Sequence, residues 1–230
     1  MISVCIASYN GEKYIERQLR SILSQLGESD EIVVSDDESK DRTIAVIQGI
    51  GDNRVKIVYN PRHGVVHNFE NAIVNAKGDY IFLSDQDDEW LPNKVERCLE
   101  ELKTYDCVVT DCMICDSEGS IIHDSFFEVN GTKPNKWYNL FVNNGYMGSC
   151  MAFRKSILPH ILPFPQDIPL HDIWIGNIAA FKFNICWISD KLIKYRRHGN
   201  NASNAAEKSD ASLVKRLGYR WHVIKYLLLK

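Results

Sequence analysis

The chain has 230 residues, of which 45% are apolar and 25% charged. This is ordinary globular usage with enough length for one large core, and it excludes a disordered or fibrous chain. Lys and Arg number 27 against 30 Asp and Glu, a net of −3, which excludes a generally basic nucleic-acid binder. The N-terminus, MISVCIASYNG, has no basic leader and turns polar by Ser8; it reads as a strand rather than a signal peptide. Residues 2–7 are a short apolar run of buried-strand type, and residues 31–35, 55–59 and 80–84 repeat it. Helical patterns lie between them. Ile15, Leu19, Ile22, Leu23 and Leu26 share one helix face, as do Phe69, Ala72, Ile73 and Ala76. Residues 91–102 read as a third helix, with Pro92 in its first turn. This alternation predicts a parallel sheet with helices on its faces.

Beyond Tyr105 the pattern loosens. Residues 107–115 and 149–153 read as strands, and 135–142 as a short helix. Residues 159–169 hold four of the seven prolines and read as a surface loop. A helix at 172–181 and strands at 185–188 and 192–195 follow, then a small polar linker at 200–210. The tail, 212–230, carries an apolar stripe of Leu213, Leu217, Trp221, Ile224 and Leu228. It holds five of the 27 basic residues and no acid, so the remaining chain has 22 basic residues against 30 acidic ones. Such a helix either lies on an anionic membrane surface or packs on the domain. No apolar stretch is long enough to span a bilayer. The seven cysteines (Cys5, Cys98, Cys107, Cys112, Cys115, Cys150, Cys186) are odd in number and mostly lie in apolar runs. That favours a reduced, cytoplasmic protein over a disulfide framework, so the sequons at Asn130 and Asn201 carry no glycosylation meaning. Cys112-Met113-Ile114-Cys115 lacks the second pair or helix start that metal or redox work needs.

Ligands of an open parallel sheet bind beyond the carboxyl ends of its strands. Those ends read Ser8-Tyr9-Asn10-Gly11-Glu12, Asp36-Asp37-Glu38-Ser39-Lys40-Asp41 and Asp85-Gln86-Asp87-Asp88. The second is equally a turn and helix cap. In the third, two carboxylates two residues apart can address one hard cation, Mg²⁺ or Mn²⁺, leaving positions open for phosphate oxygens. It is also what an acidic surface turn looks like.

The ordered set S-Y-N, V-S-D-D-E-S-K-D-R-T, the segment from Asn60 through Ala76-Lys77-Gly78-Asp79-Tyr80, and L-S-D-Q-D-D resembles family 2 glycosyltransferases, in their rhamnosyltransferase-like branch. The likeness is close over residues 2–90 and looser beyond. It implies an α/β, GT-A-type nucleotide-diphospho-sugar transferase fold, a mostly parallel central sheet with helices on both faces. It also implies a glycosyltransferase domain over 1–210, with a nucleotide-binding half (1–105) and an acceptor-binding half (106–210), followed by a basic amphipathic helix at 211–230. Family members usually read D-D-G-S-x-D at the second strand end, where this chain has Glu38 for the glycine.

Residue by residue, the resemblance places Ser8, Tyr9, Asn10 and Glu12 at the nucleotide, Asp37 on the base and Asp85 towards the ribose. Asp87 falls on the metal, and Asp88 matches a frequent third acid. Gly148 and Ser149 match a loop beside the donor sugar. His171-Asp172-Ile173-Trp174 matches a Glu-Asp motif with His171 in place of Glu, which makes Asp172 the catalytic base. His171 and Trp174 then stand by donor or acceptor. Arg196-Arg197-His198-Gly199-Asn200-Asn201 matches an R-x-H-x-x-N segment, putting His198 on the metal or diphosphate and Arg197 or Arg196 on phosphate. The implied activity is inverting, metal-dependent transfer from a dTDP- or UDP-sugar to a glycan or lipid-linked acceptor, in surface polysaccharide synthesis, with peripheral contact at the inner membrane face through 212–230. Two alternatives compete. A sugar nucleotidyltransferase needs a glycine-rich phosphate loop after the first strand, and a non-catalytic sugar-nucleotide-binding module needs no base.

Overall fold

The computed structural model describes residues 1–199 and 213–229. The expected linker at 200–210, the sequon at Asn201 and the side chains of Leu213, Leu217 and Leu228 lie outside the described residues. The first half alternates as its periods dictate. Strands β1 (Ile2–Ser8), β2 (Glu31–Asp36), β3 (Val55–Tyr59) and β4 (Tyr80–Asp85) are joined by helices α1 (Ile15–Leu23), α2 (Thr43–Gly49) and α3 (Val65–Asn75). Ile15, Leu19 and Ile22 of α1 are fully buried, while Glu16 and Arg20 pair along its exposed face. β2 is buried at every position, as a strand covered on both faces must be.

The second half starts with a two-residue strand, β5 (Glu89–Trp90), and helix α4 (Lys94–Glu101). Strands β6 (Cys107–Cys115), β7 (Ile121–His123), β8 (Met151–Arg154) and β9 (Ile185–Arg196) follow, with helices α5 (Phe126–Asn130), α6 (Lys136–Phe141), α7 (Leu158–Ile161) and α8 (His171–Lys182) among them, and α9 (Leu213–Leu229) ends the described chain. All the strands of the described residues belong to one nine-stranded sheet of order β3-β2-β1-β4-β8-β6-β9-β5, with β7 paired to β6. Strands β1 to β4, β6 and β9 run one way, and β8 is the antiparallel strand that joins β4 to β6. The sheet is therefore mixed and mostly parallel.

Two expectations need correction. β9 is one strand rather than two, because the chain passes through an irregularity: Thr110 faces Ile188, and the next residue, Asp111, faces Lys191. The proline-rich stretch is not a plain surface loop. It opens with the turn of α7 and buries Ile161, Phe164 and Ile168. The tail helix packs on the domain in part: Val223 is buried, and the Tyr226 ring meets Trp174 edge-on at 6.1 Å. Trp221 is not in the core; it is 65% exposed. The cysteines are free, and all but Cys186 are buried. Among the described residues no helix is long and apolar enough to cross a membrane.

Candidate active site

The carboxyl ends of β1, β2 and β4 bring the three motifs to one edge. The loop after β1 is tied down atom by atom. Its backbone N–H groups donate to side chains of other segments: Tyr9 to Gln86 Oε1 (2.9 Å), Asn10 to Ser39 Oγ (2.9 Å), Gly11 to Thr43 Oγ1 (2.7 Å) and Glu12 to Asp41 Oδ2 (3.1 Å). In return Asn10 Oδ1 accepts from the Lys40 backbone and Glu12 Oε2 from the Arg42 backbone, each at 2.8 Å. With these four N–H groups committed, the loop is not the free glycine-rich phosphate cradle that the nucleotidyltransferase alternative needs.

Ser8 is buried and donates to Asp36 Oδ1 (2.9 Å), which also receives the Ser39 hydroxyl. Asp37 takes Asn60 Nδ2 and the Gly64 N–H, both at 2.8 Å, with His63 beside it at 3.3 Å. Glu38 sits at φ 59, the left-handed backbone that a glycine takes at no cost. The side chain is accommodated because it points to solvent, where it pairs loosely with Lys40 at 3.4 Å.

At the end of β4, Asp85 accepts from Ser149 Oγ at 2.6 Å. Burial, followed by the neighbouring charges of Asp87 and Asp172, pushes its carboxyl up to about 7. Asp88 is fully enclosed and is pushed up by burial and by Asp87; its Oδ1 accepts the Arg196 N–H at 3.0 Å. Asp87 Oδ2 lies 2.8 Å from His198 Nε2. Beneath them Lys94 is buried, donating to the Ser149 carbonyl at 2.8 Å, and burial lowers its pKa.

The convergent Asp87 and His198, with two further carboxylates whose repulsion a cation would relieve, fit a hard divalent ion. Among the described residues no three His, Cys, Asp or Glu side chains are already gathered as a metal cage. An ion on this pair would therefore draw its other ligands from substrate and water.

Asp172 opens α8. Burial pushes its carboxyl up to about 6, against the pull of N–H groups at Ile173 and Gly148. His171 is 5% exposed, stacks on Phe69 at 3.7 Å, and has no hydrogen-bond partner at either ring nitrogen. Burial lowers it to about 3, so it is neutral. Gly148 is required beside it, since a Cβ there would stand 2.6 Å from His171 Nε2.

Trp174 departs from expectation. It is fully buried, and its indole N–H donates to the Ile161 carbonyl at 2.9 Å; it packs the helix that carries Asp172 and has no surface with which to touch donor or acceptor. Arg196 is likewise buried, donating to the carbonyls of Asp87, Asp116 and Ser117, so its place is to clamp the site from below. Arg197 holds its chain to the Cys115 carbonyl at 2.8 Å.

Several residues escaped the sequence reading. Gln86, the middle of D-Q-D, makes a two-bond lock with the Tyr9 backbone. Gln18 of α1 donates to Ser84 and to the Asp85 carbonyl. Tyr14 stacks on the His198 ring at 4.9 Å and 16°, holding it at Asp87. Gly11 was the available signal for the first of these, because a Cβ there would strike Gln86.

Residues 3–162 match the family model described as Glycosyl transferase family 2. The chain is 29% identical over 245 residues to the dTDP-rhamnosyl transferase RfbG of Shigella flexneri, covering 96% of this chain and 82% of that one. Its structure resembles Staphylococcus aureus TarS 1-349 in complex with UDP-GlcNAc, with a TM-score of 0.70 at 17% identity, over 99% of this chain and 65% of that one. It also resembles Mycobacterium tuberculosis glucosyl-3-phosphoglycerate synthase in complex with Mn²⁺, UDP and phosphoglyceric acid, with a TM-score of 0.61 at 19% identity, over 100% of this chain and 78% of that one. The chain thus spans about two thirds of the TarS chain. With the match covering most of the sequence and the sheet described above, the chain belongs to glycosyl transferase family 2 and carries that family's nucleotide-sugar-dependent transferase domain in a GT-A fold.

Proposed function

We propose that this domain is an inverting, metal-dependent transferase that moves a sugar from a nucleoside diphosphate sugar to a glycan or lipid-linked acceptor in surface polysaccharide synthesis. The observation that carries the reading is Asp172: a carboxylate at the start of α8, raised to about 6 and near enough to Asp85 to raise that group in turn. A base poised near the working pH can take the acceptor hydroxyl's proton as it attacks the anomeric carbon. Attack from the face opposite the leaving group inverts that centre.

Tyr9, Asn10, Glu12 and Asp37 form the nucleotide side, with Ser8 buried behind them and holding Asp36 rather than touching the ligand, and Asp85 addresses the ribose. Gly148, Ser149 and His171 border the donor sugar, and Arg197 stands by for phosphate. Mg²⁺ or Mn²⁺ on Asp87 and His198 would supply Lewis-acid neutralisation of the leaving diphosphate. The Mn²⁺ of the mycobacterial structure supports this assignment, and the Shigella relative supports a dTDP-sugar over a UDP-sugar. Residues 1–105 serve the nucleotide and 106–210 the acceptor. Trp221 and Lys225, exposed on α9, give the tail a face for anionic lipid, peripheral at the inner membrane face.

A thermal-shift screen of dTDP, UDP and GDP with and without Mn²⁺, paired with nucleotide release from the matching sugar donors, tests the reading. A base-selective shift enhanced by metal, together with release, is expected. Shifts without any release would favour a binding module instead.

A further inference from the structure

Away from the carboxylate edge a second cleft of about 580 Å³ opens between the start of α6, the end of α8 and the start of β9. Its size suits a small-ligand site. Its walls are Tyr105, Trp137, Tyr146 and Trp187, with Asn135 and Lys136 at one side. Asp172 stands in the first turn of α8 and Ala180, in the cleft wall, eight residues later. At a rise of about 1.5 Å per residue that places the cleft roughly 12 Å along the helix from the base. That separation exceeds one sugar ring and is within the length of an oligosaccharide.

The rings are held as platforms. Trp137 is 56% exposed, yet it is braced by Phe141 (6.1 Å, nearly parallel) and by Phe181 edge-on (4.9 Å). Tyr146 lies 5.4 Å from Trp187, which Phe127 supports from another side at 5.6 Å. Lys136 Nζ stands 5.0 Å from the Phe181 ring and 6.0 Å from Trp137. Asn135 spends its carbonyl oxygen capping α6, which leaves its amide N–H groups over. The Tyr146 hydroxyl is buried without a partner, and among the described residues no carboxylate lines the cleft.

This mixture selects among occupants. A pyranose has an apolar C–H face to lay on an aromatic ring and a rim of hydroxyls for amide, ammonium and phenol groups. An acyl chain would satisfy the rings but leave Lys136 and Asn135 desolvated and unpaired, at a cost. Tyr146 also ties the cleft to the chemistry. Its ring lies against Gly176 of α8, and it precedes Gly148 by two residues. We infer that this cleft is a saccharide-binding subsite that holds a distal part of a glycan acceptor while its end is glycosylated at Asp172. The inference rests on the acceptor being a glycan.

The test uses the full chain and three probes: linear tetrasaccharides of N-acetylglucosamine, glucose and rhamnose. Binding is followed by tryptophan fluorescence and saturation-transfer NMR in wild type, Trp137→Ala and Lys136→Ala. Nucleotide release from the sugar donor without acceptor is measured in parallel. At least one tetrasaccharide should bind, and Trp137→Ala should weaken it about two- to tenfold, the range of one aromatic platform, with donor hydrolysis unchanged. Binding by none of the three, equal binding by Trp137→Ala, or a loss of donor hydrolysis in that variant would each overturn the subsite. So would binding to anionic vesicles that depends on Trp137 when no saccharide binds. Wild type that binds saccharide but releases no nucleotide from any donor would instead count against the transferase reading and keep the subsite.

Discussion

The loop after β1 and the turn that opens α8 stand at the same edge of the sheet, yet they treat their polar atoms in opposite ways. The first commits the N–H groups of Tyr9, Asn10, Gly11 and Glu12 to side chains 29 to 77 residues away. Around the second, His171 keeps both nitrogens unpartnered, and the Asp172 carboxyl accepts only from backbone close by, among it the Ile173 N–H at 2.7 Å. A satisfied network is rigid before any ligand arrives. Buried groups without partners instead hold their interactions for a substrate. The nucleotide side is therefore a preformed frame, and the α8 side is where binding changes the energetics.

Asp172→Asn breaks that contrast most severely. Transfer should fall by about 10² to 10⁴, the usual contribution of a positioned base, while nucleotide affinity stays as it was, because the frame around Tyr9 and Asp37 is untouched. In wild type, kcat/KM should rise with pH through about 6 and level off above it as Asp172 ionises, with His171 neutral beside it. Normal turnover by the variant would take Asp172 out of the mechanism.

His171 carries the next largest effect. Its pKa is about 3 in the fold against 6.5 free, so between those values the unfolded chain binds a proton that the fold refuses. Its share of stability then drops as the pH falls through that window. Asp172 acts the other way, since its folded value of about 6 exceeds 3.8 and its contribution is lost as the pH rises. Asp85, raised to about 7, and Asp88, also raised, act as Asp172 does, so the acids together outweigh His171, which is the group opposing them. His171→Phe should remove that opposing contribution, so its melting temperature should rise relative to wild type as the pH is lowered from 6.5 to 4. An unchanged acid sensitivity would show that another group is responsible.

How much of this was legible follows from the range of each interaction. β1 to β4 and α1 declare themselves through short-range period, and the acids at their ends follow from the topology of a parallel sheet. Asp172 was readable through its motif. Gln86, Gln18 and Thr43 were not, because a lone glutamine or threonine says nothing until chain 32 to 77 residues away is folded against it. β5, with two residues, is too short to show a period. Trp174 misled because a motif fixes where a residue sits along the helix, not whether the proline-rich stretch will cover it.

The frame itself can be probed at Gly11. A methyl there would lie 2.2 Å from Gln86 Oε1, so Gly11→Ala must displace the amide and break both bonds to Tyr9. The expected loss is about 1–3 kcal/mol of stability, with weaker nucleotide binding. In a Gln86→Ala background the same substitution should cost much less, since the clash and the lock are already gone. Additive losses in a denaturation series would mean that Gly11 serves some other contact.

Glu38→Gly gives the smallest effect and asks whether the frame is strained anywhere. At φ 59 a non-glycine residue carries a penalty on the order of 1 kcal/mol, and the exposed pair with Lys40 at 3.4 Å returns little of it. Glycine removes the penalty but gives the unfolded chain more freedom, worth about 0.4–1 kcal/mol in the other direction. The two nearly cancel. The melting temperature should stay level or rise by no more than about 2–4 °C, with nucleotide affinity unchanged because the carboxylates of Asp36 and Asp37 keep their partners. A clear fall would mean that the Glu38 side chain contributes more to the loop than its loose ion pair, and that the second strand end is held by charge as well as by backbone.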